Sequence, residues 1–253
     1  MTKPTQTADG SATKAPVELP LAEVAYNAIR GDIVSCRLAP GQKVTERGLV
    51  TSLGMSMASV RNAMTRLDQE GLLITQPRKG SVVAPLTLHS VDKLFDFWAL
   101  LAPEIARTGI PALTAEQLAE VTAVGARLNA EVIPGDDQAT RKNLIAAIDA
   151  ALHIFTLIAV ASDNPYLLAS HHRINGELSR VWRLVIESEF AELGGRVSAL
   201  TDVVRFVEQR DAQSAVDFLG PHIEASRRRV LDALARWPSV SMSEIRVGGW
   251  FSV

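Results

Sequence analysis

The sequence predicts a mainly α-helical protein in which an N-terminal winged helix-turn-helix is followed by an all-α antiparallel helical bundle. Three observations lead there: short helical segments and then two β-prone runs within 20–85, six successive segments of helical periodicity between 91 and 237, and a change of charge sign between the two parts. Residues 20–85 carry eight Lys or Arg against five acids, whereas 86–253 carries 16 bases against 21 acids. The net charge of −2 argues against a generally basic nucleic-acid binder, and a modest local excess of base does not by itself select DNA.

The opening "MTKPTQTADGSATKAPVELP" is rich in Thr, Ala and Pro and has no apolar stretch, so 1–19 reads as a flexible tail and not a secretory signal. "LAEVAYNAIRGDIVS" then places Leu21, Val24, Ala25, Ala28, Ile29 and Ile33 on one helical face. Pro40-Gly41 breaks that pattern, and Thr45 is placed to cap a short second helix, "ERGLVTSL", which Gly54 ends. Ser56 caps a third helix whose inner positions are Val60, Ala63, Met64 and Leu67, with Gly71 past its end. "LLITQ" and "SVVAP", joined by "PRKG", read as a two-stranded hairpin with a basic tip. The single Cys36 cannot form an intrachain disulfide, which agrees with a reducing cytoplasm, and its apolar neighbours make it a packed thiol.

Small polar residues crowd the first turns of the third helix, which a helix that only packs does not need. In a winged helix-turn-helix that end meets base edges in the major groove, so Ser56, Ser59, Arg61 and Asn62 are candidate DNA contacts. Arg47 on the second helix, and Arg78 and Lys79 in the wing, complete the set by holding phosphates and setting the register.

The stretch "LAPGQKVTERGLVTSLGMSMASVRNAMTRLDQEGLLITQPRKGSVVAPL" resembles the DNA-binding domain of the GntR family of bacterial transcription regulators. The resemblance implies DNA contact or wing shaping at Arg47, Arg61 and Gly80. One departure stands out: the family usually has a DNA-contacting arginine where this chain has Met57, and a thioether makes no bidentate contact to guanine.

Six segments between 91 and 237 have apolar residues at three-to-four spacing, with breaks at 109–111, Pro134-Gly135, 163–165 and Gly194-Gly195, which predicts the bundle. The longest apolar run, "AALHIFTLIAVA", is shorter than the roughly 20 residues a membrane-spanning helix needs and reads as core. Asp149 and His153, four apart, share a helix face, and His222 lies among the inward-facing Val216, Leu219 and Ile223. Carboxylate and imidazole together suit a divalent transition metal such as zinc, although a hydrogen-bonded Asp–His pair has the same spacing.

The segment 90–236 resembles the FCD effector domain that accompanies the GntR reader in its FadR-type subgroup. That resemblance implies a metal site of one Asp and three His, with Asp149, His153 and His222 matching three positions and Leu200 standing at the fourth. Trp98 replaces an arginine and Ala102 an acid in the first bundle helix, so an apolar effector, or one oriented by Trp98 and Arg205, is expected in place of a simple carboxylic acid. His171 and His172, in "ASHHRIN", read as a solvated face.

The expectation is therefore a ligand-responsive regulator that binds a palindromic double-stranded operator as a cytoplasmic homodimer, with no membrane and no catalysis. Its parts are a tail (1–19), a reader (20–85), a helical effector-binding and dimerisation domain (86–237) and a C-terminal tail (238–253). Two alternatives remain open: a metal-dependent hydrolase or lyase using Asp149, His153 and His222, and an interaction module that has lost its effector. Against the first, the sequence has no HExxH, no Gly-x-Ser-x-Gly and no phosphate-cradling glycine loop.

Overall fold

The computed structural model describes residues 20–76, 80–131, 138–188 and 198–236, with the side chains of 128–131, 138–140, 187–188 and 198–200 excepted. Helix α1, Leu21–Val34, buries Ala25, Tyr26, Ile29 and Ile33 along one face. Leu21, expected on that face, is exposed, because the first residue of the helix projects beyond the core. Helix α2, Glu46–Leu53, starts where the Thr45 hydroxyl accepts from the Gly48 N–H and stops at Gly54, whose φ of 65° is the left-handed conformation that favours glycine. Helix α3, Met57–Gln69, starts at Ser56, whose hydroxyl accepts from the Ser59 N–H at 3.2 Å.

Strands β2, Leu73–Gln76, and β3, Gly80–Val83, pair antiparallel as expected. A third strand, β1, Lys43–Val44, adds to the other side of β3 to give the order β1-β3-β2. Two residues are too few to show alternation, so sequence pattern alone could not reveal this strand. The three helices and the sheet close over one apolar cluster centred on Ile29, Val60, Leu67 and Leu73.

The bundle begins with α4, Leu88–Gly109, whose capping box has the Thr87 hydroxyl accepting from Ser90 N–H while the Ser90 hydroxyl accepts from Thr87 N–H. A 3-10 turn at Ile110–Ala112 leads to α5, Ala115–Glu131, α6, Gln138–Ala161, α7, Pro165–Ser188, α8, Ser198–Glu208, and α9, Ala212–Ala235. Helices α4 and α9 run antiparallel: Arg227 of α9 is ion-paired with Asp92 and, at 2.8 Å, with Asp96 of α4, while Arg210 ahead of α9 donates to the carbonyls of Pro111 and Leu113 beyond α4.

The apolar stretch of α6 is longer than the sequence suggested. Arg141–Ala161 has a mean hydropathy of 2.2 over its most apolar window and meets the length and composition of a membrane span. It packs against α4, α5 and α7, and Leu152, Ile154, Phe155 and Ile158 belong to the bundle core, so its composition reflects its central position.

Helices α4 and α6 approach closely at Gly109, where a Cβ would stand 2.0 Å from the Ile158 carbonyl oxygen. Replacing Gly109 by Ala therefore forces a backbone shift, and urea unfolding of Gly109→Ala should show a loss of about 1–3 kcal/mol. Gly220, whose Cβ would meet nothing within 4 Å, supplies the control: Gly220→Ala, a helix-interior change, should be neutral or stabilising.

Candidate nucleic-acid interface and interior cavity

The Gly54 turn and the Ser56 cap set the first turns of α3 outward. Ser56, Met57, Ala58, Arg61 and Asn62 are exposed, while Val60, Ala63 and Met64 close onto the reader core. Ser59 departs from expectation: it is 9% exposed, and its hydroxyl lies 2.9 Å from that of Ser56. It supports the cap, and Asn62 and Arg61 are left as the exposed polar groups behind Ser56. The Arg61 guanidinium makes a forked contact with Glu46 of α2, Nη2 to Oε2 at 2.8 Å and Nε to Oε1 at 3.1 Å, and that hydrogen bond holds the Glu46 carboxyl below its usual range. A solvated pair of this kind stabilises little, so Arg61 can leave it for a phosphate at small cost. Arg47 is exposed on α2, and Gly80, at φ 85°, starts β3 of the wing. Arg78 and Lys79 lie outside the described residues.

A partly open cavity of about 160 Å³ lies between the helices of the bundle. Phe95, Trp98, Leu152, Phe155, Trp182 and Ile186 are among the residues of its wall, and Trp98 meets Phe155 edge to face with ring centroids 4.9 Å apart. Trp98, expected to orient an effector, lines this cavity. Arg205 does not: it is exposed, paired with Asp202 at 2.9 Å and laid over the Phe206 ring, because its position on α8 faces away from Val203, which does line the cavity. Polar groups enter the wall from α9 instead, as His222, Ser226 and Arg229. The Arg229 Nη2 donates to the Ser226 hydroxyl at 2.9 Å. Burial, with Arg229 close by, pushes the His222 imidazole below its ordinary value, so it is neutral at pH 7.

The three residues expected to hold a metal are not brought together. Asp149 and His153 do share a face of α6, but that face lies roughly 120° or more around the helix from the cavity-lining row of Ile148, Ala151, Leu152 and Phe155. Asp149 accepts from Arg183 Nη2 at 2.5 Å and from the Ser179 hydroxyl at 3.3 Å. His153 Nε2 lies 2.7 Å from Glu120 Oε1 of α5. Only His222 reaches the cavity, and among the described residues no three His, Cys, Asp or Glu side chains converge as a metal site. The side chain of Leu200, at the fourth position, lies outside the described residues. This donor set fits neither a zinc ion nor a metal-dependent hydrolytic centre.

His171, read as solvated, is fully buried beneath the cavity wall, 5.8 Å from the Trp98 ring, while its neighbour His172 is exposed. The error came from treating the pair alike, since consecutive helix positions lie about 100° apart. The Thr156 hydroxyl donates to the Leu152 carbonyl and so accepts from His171 Nε2–H, 3.0 Å away.

Helix α7 carries a second set of contacts on the side opposite Trp182. Arg173, Gly176, Glu177 and Arg180 form a stripe at i, i+3, i+4 and i+7 that docks on the reader. Arg173 donates to the Gln69 carbonyl at 2.9 Å, and Gly176 sits so close to Leu72 that a Cβ would be 3.2 Å from its methyl groups. Arg180 has no exposed surface; its Nη2 donates to the Ala84 carbonyl at 2.5 Å in the connection between the domains, while Nε and Nη1 have no hydrogen-bond partner. Burial pushes the Arg180 guanidinium below its usual value and Glu177 above its own. Cys36 is partly buried and has a φ of 58°.

Comparison with known proteins gives two family matches. The profile of bacterial regulatory proteins of the gntR family matches residues 21–83, and the FCD domain matches residues 93–225. An HTH-type transcriptional regulator of Agrobacterium vitis, from the TAR-I ttuE-ttuC' intergenic region, is 33% identical over 72 residues, 28% of this chain and 42% of its own length. The HTH-type transcriptional repressor RspR of Escherichia coli is 32% identical over 72 residues, 28% of this chain and 32% of its own length. These curated relatives are thus matched over less than half of their length. Over the whole fold, E. coli McbR/YncC superposes with a TM-score of 0.70 at 18% identity, covering 85% of this chain and 99% of its own. A GntR regulator of Rhodococcus sp. RHA1 gives 0.65 at 15% identity, with 84% and 98% covered. At these identities the likeness is one of fold.

The buried His171 makes stability depend on acidity. Burial, with His172 adjacent, pushes its value down to about 4 from 6.5, so between those two pH values the unfolded chain binds a proton that the folded chain refuses. The stabilisation is whole above pH 6.5 and is lost as pH falls towards 4, by roughly 3 kcal/mol in all. Urea titrations at pH 7 and pH 4.5 should show a smaller acid loss in His171→Gln, which keeps a donor for Thr156 and does not titrate, than in the wild-type chain.

Proposed function

The chain belongs to the GntR family of bacterial transcription regulators, in the group that carries an FCD domain, and from that premise we propose that it binds a palindromic operator as a homodimer and responds to a small molecule held in the bundle cavity. It is a transcription regulator and not an enzyme. The observation that carries the reading is the outward, polar N-terminal end of α3, where Ser56, Arg61 and Asn62 stand clear of the core. Asn62 suits a base edge, and Arg61 and Arg47 suit phosphates. Met57 adds an apolar contact of the kind that meets a thymine methyl, so the operator differs from one read by an arginine at that position. The place of action is the cytoplasm, where the operator lies.

One helix entering one groove makes few base contacts, so a two-fold pair reading two half-sites about one helical turn apart supplies the specificity. Phe97 and Leu100, large apolar residues exposed on the outer side of α4, support self-association of the bundles. The effector acts through α7, which lines the cavity with Trp182 and Ile186 and docks the reader with Arg173 and Arg180. Its influence equals its differential affinity for the two placements of the readers.

Full-length protein incubated with randomised duplexes should select a palindrome, and gel shifts on that palindrome should weaken steeply with salt. Arg47→Ala should make the plot of log affinity against log salt shallower by about one, whereas Asn62→Ala should cost about tenfold or more on the selected sequence and little on unrelated DNA. Affinity that ignores salt, or selection of a sequence without two-fold symmetry, contradicts the proposal.

A further inference from the structure

The size and the wall of the cavity together narrow what can fill it. At about 160 Å³ it is close to the roughly 150 Å³ of an apolar cavity that holds a single benzene ring. Phe95, Trp98, Phe155 and Trp182 give the wall four aromatic rings, and none of the described lining residues is Asp or Glu. His222 and Ser226, four apart on α9, place an imidazole and a hydroxyl side by side on one face of that helix. The His222 ring is held by stacking on Phe218, with centroids 5.1 Å apart and planes 15° from parallel. No described residue hydrogen-bonds either of its ring nitrogens, and neither nitrogen is sealed in the interior. The Ser226 hydroxyl accepts from Arg229 and keeps its own proton to donate. Arg229 itself is taken up by the fold, through Ser226 and a further contact within the protein.

A neutral imidazole has one nitrogen that donates and one that accepts, and a hydroxyl group can meet either. A hydrocarbon that displaced water from His222 would leave those nitrogens without a partner, at a cost of about 1–3 kcal/mol. An acid group there would give up its hydration for one neutral ring and one hydroxyl. We infer that the cavity takes a neutral single-ring phenol, its ring among Trp98, Phe155 and Trp182 and its hydroxyl shared between the His222 imidazole and the Ser226 hydroxyl, with no metal ion between them. The inference rests on the reading of this cavity as the effector site and specifies its ligand. It makes His222 the specificity-determining residue.

The test uses the full-length chain and three probes that share one body and differ in one group: 4-methylphenol, toluene and 4-methylbenzoate. Binding is followed by calorimetry and by the emission of Trp98 and Trp182 in the wall. The phenol should bind at least about tenfold more tightly than toluene, because a site that hydrogen-bonds a hydroxyl rejects the analogue lacking it, and more tightly than the benzoate. His222→Phe, which keeps a ring to stack on Phe218, should abolish the preference for phenol over toluene while retaining toluene's own binding, which reports an intact cavity. His222→Gln, whose amide both donates and accepts, should keep part of the preference. Chelation with EDTA should change nothing. No binding of the phenol, equal binding of phenol and toluene, tighter binding of the benzoate, a preference that survives His222→Phe, or loss of binding with EDTA each overturns the inference. Operator binding is measured on the same preparations without probe. If operator binding persists with no preference for the phenol, this inference fails alone; if the preference is present with no operator binding, the regulator reading fails instead.

Discussion

One helix, α7, is held from both sides, and the arrangement of the whole molecule depends on it. Its inner side carries Leu178 and Val181 into the bundle core and Trp182 to the cavity, while its outer stripe carries a guanidinium into the seam with the reader. A buried, half-satisfied Arg180 is costly unless the Ala84 carbonyl stays where it is, so the connection between the domains is fixed by electrostatics as well as by packing. The close approach of Gly176 to Leu72 removes the slack that would let the reader slide along the helix. The hydrophobic clusters of the reader and of the main bundle core are separate, yet this seam leaves them little independence.

The reader has the opposite character. Its shape comes from short-range devices: a threonine cap, a glycine in the left-handed region, a serine cap and a second glycine, each satisfying backbone groups that would otherwise be orphaned at helix ends. These devices fix the angle between α2 and α3 without using the exposed side chains of α3, which are left for contact with another molecule. The forked Arg61–Glu46 pair fits that pattern, since it holds a cation in place on the surface until something more negative arrives.

Much of this was legible in the sequence because it is local. Thr45, Gly54, Ser56 and Gly71 announce the helix ends of the reader by residue type alone, and the three-to-four spacing of the bundle segments predicts helices that the fold contains. What failed in the bundle depends on which way a helix is turned. The spacing of Asp149 and His153 correctly puts them on one face, but only the packing of α6 decides that this face meets Arg183 and Glu120 and not the cavity. The same uncertainty hid His171 and favoured Arg205 over Arg229. The seven-residue step from His222 to Arg229 was the available signal, obscured within the "SRRRV" run. Strand β1, two residues long, left no periodicity to find.

If α7 joins the cavity to the reader, a molecule that fills the cavity must be felt at Gln69–Leu72 and at Ala84. Amide hydrogen exchange of the full-length protein, with and without a saturating ligand of the cavity, reads this directly. Altered protection at Gly71, Leu72 and Ala84 together with the cavity-lining turns of α7 is the outcome this account predicts. Protection that changes only around Trp98, Phe155 and Arg229, with the seam untouched, would contradict it.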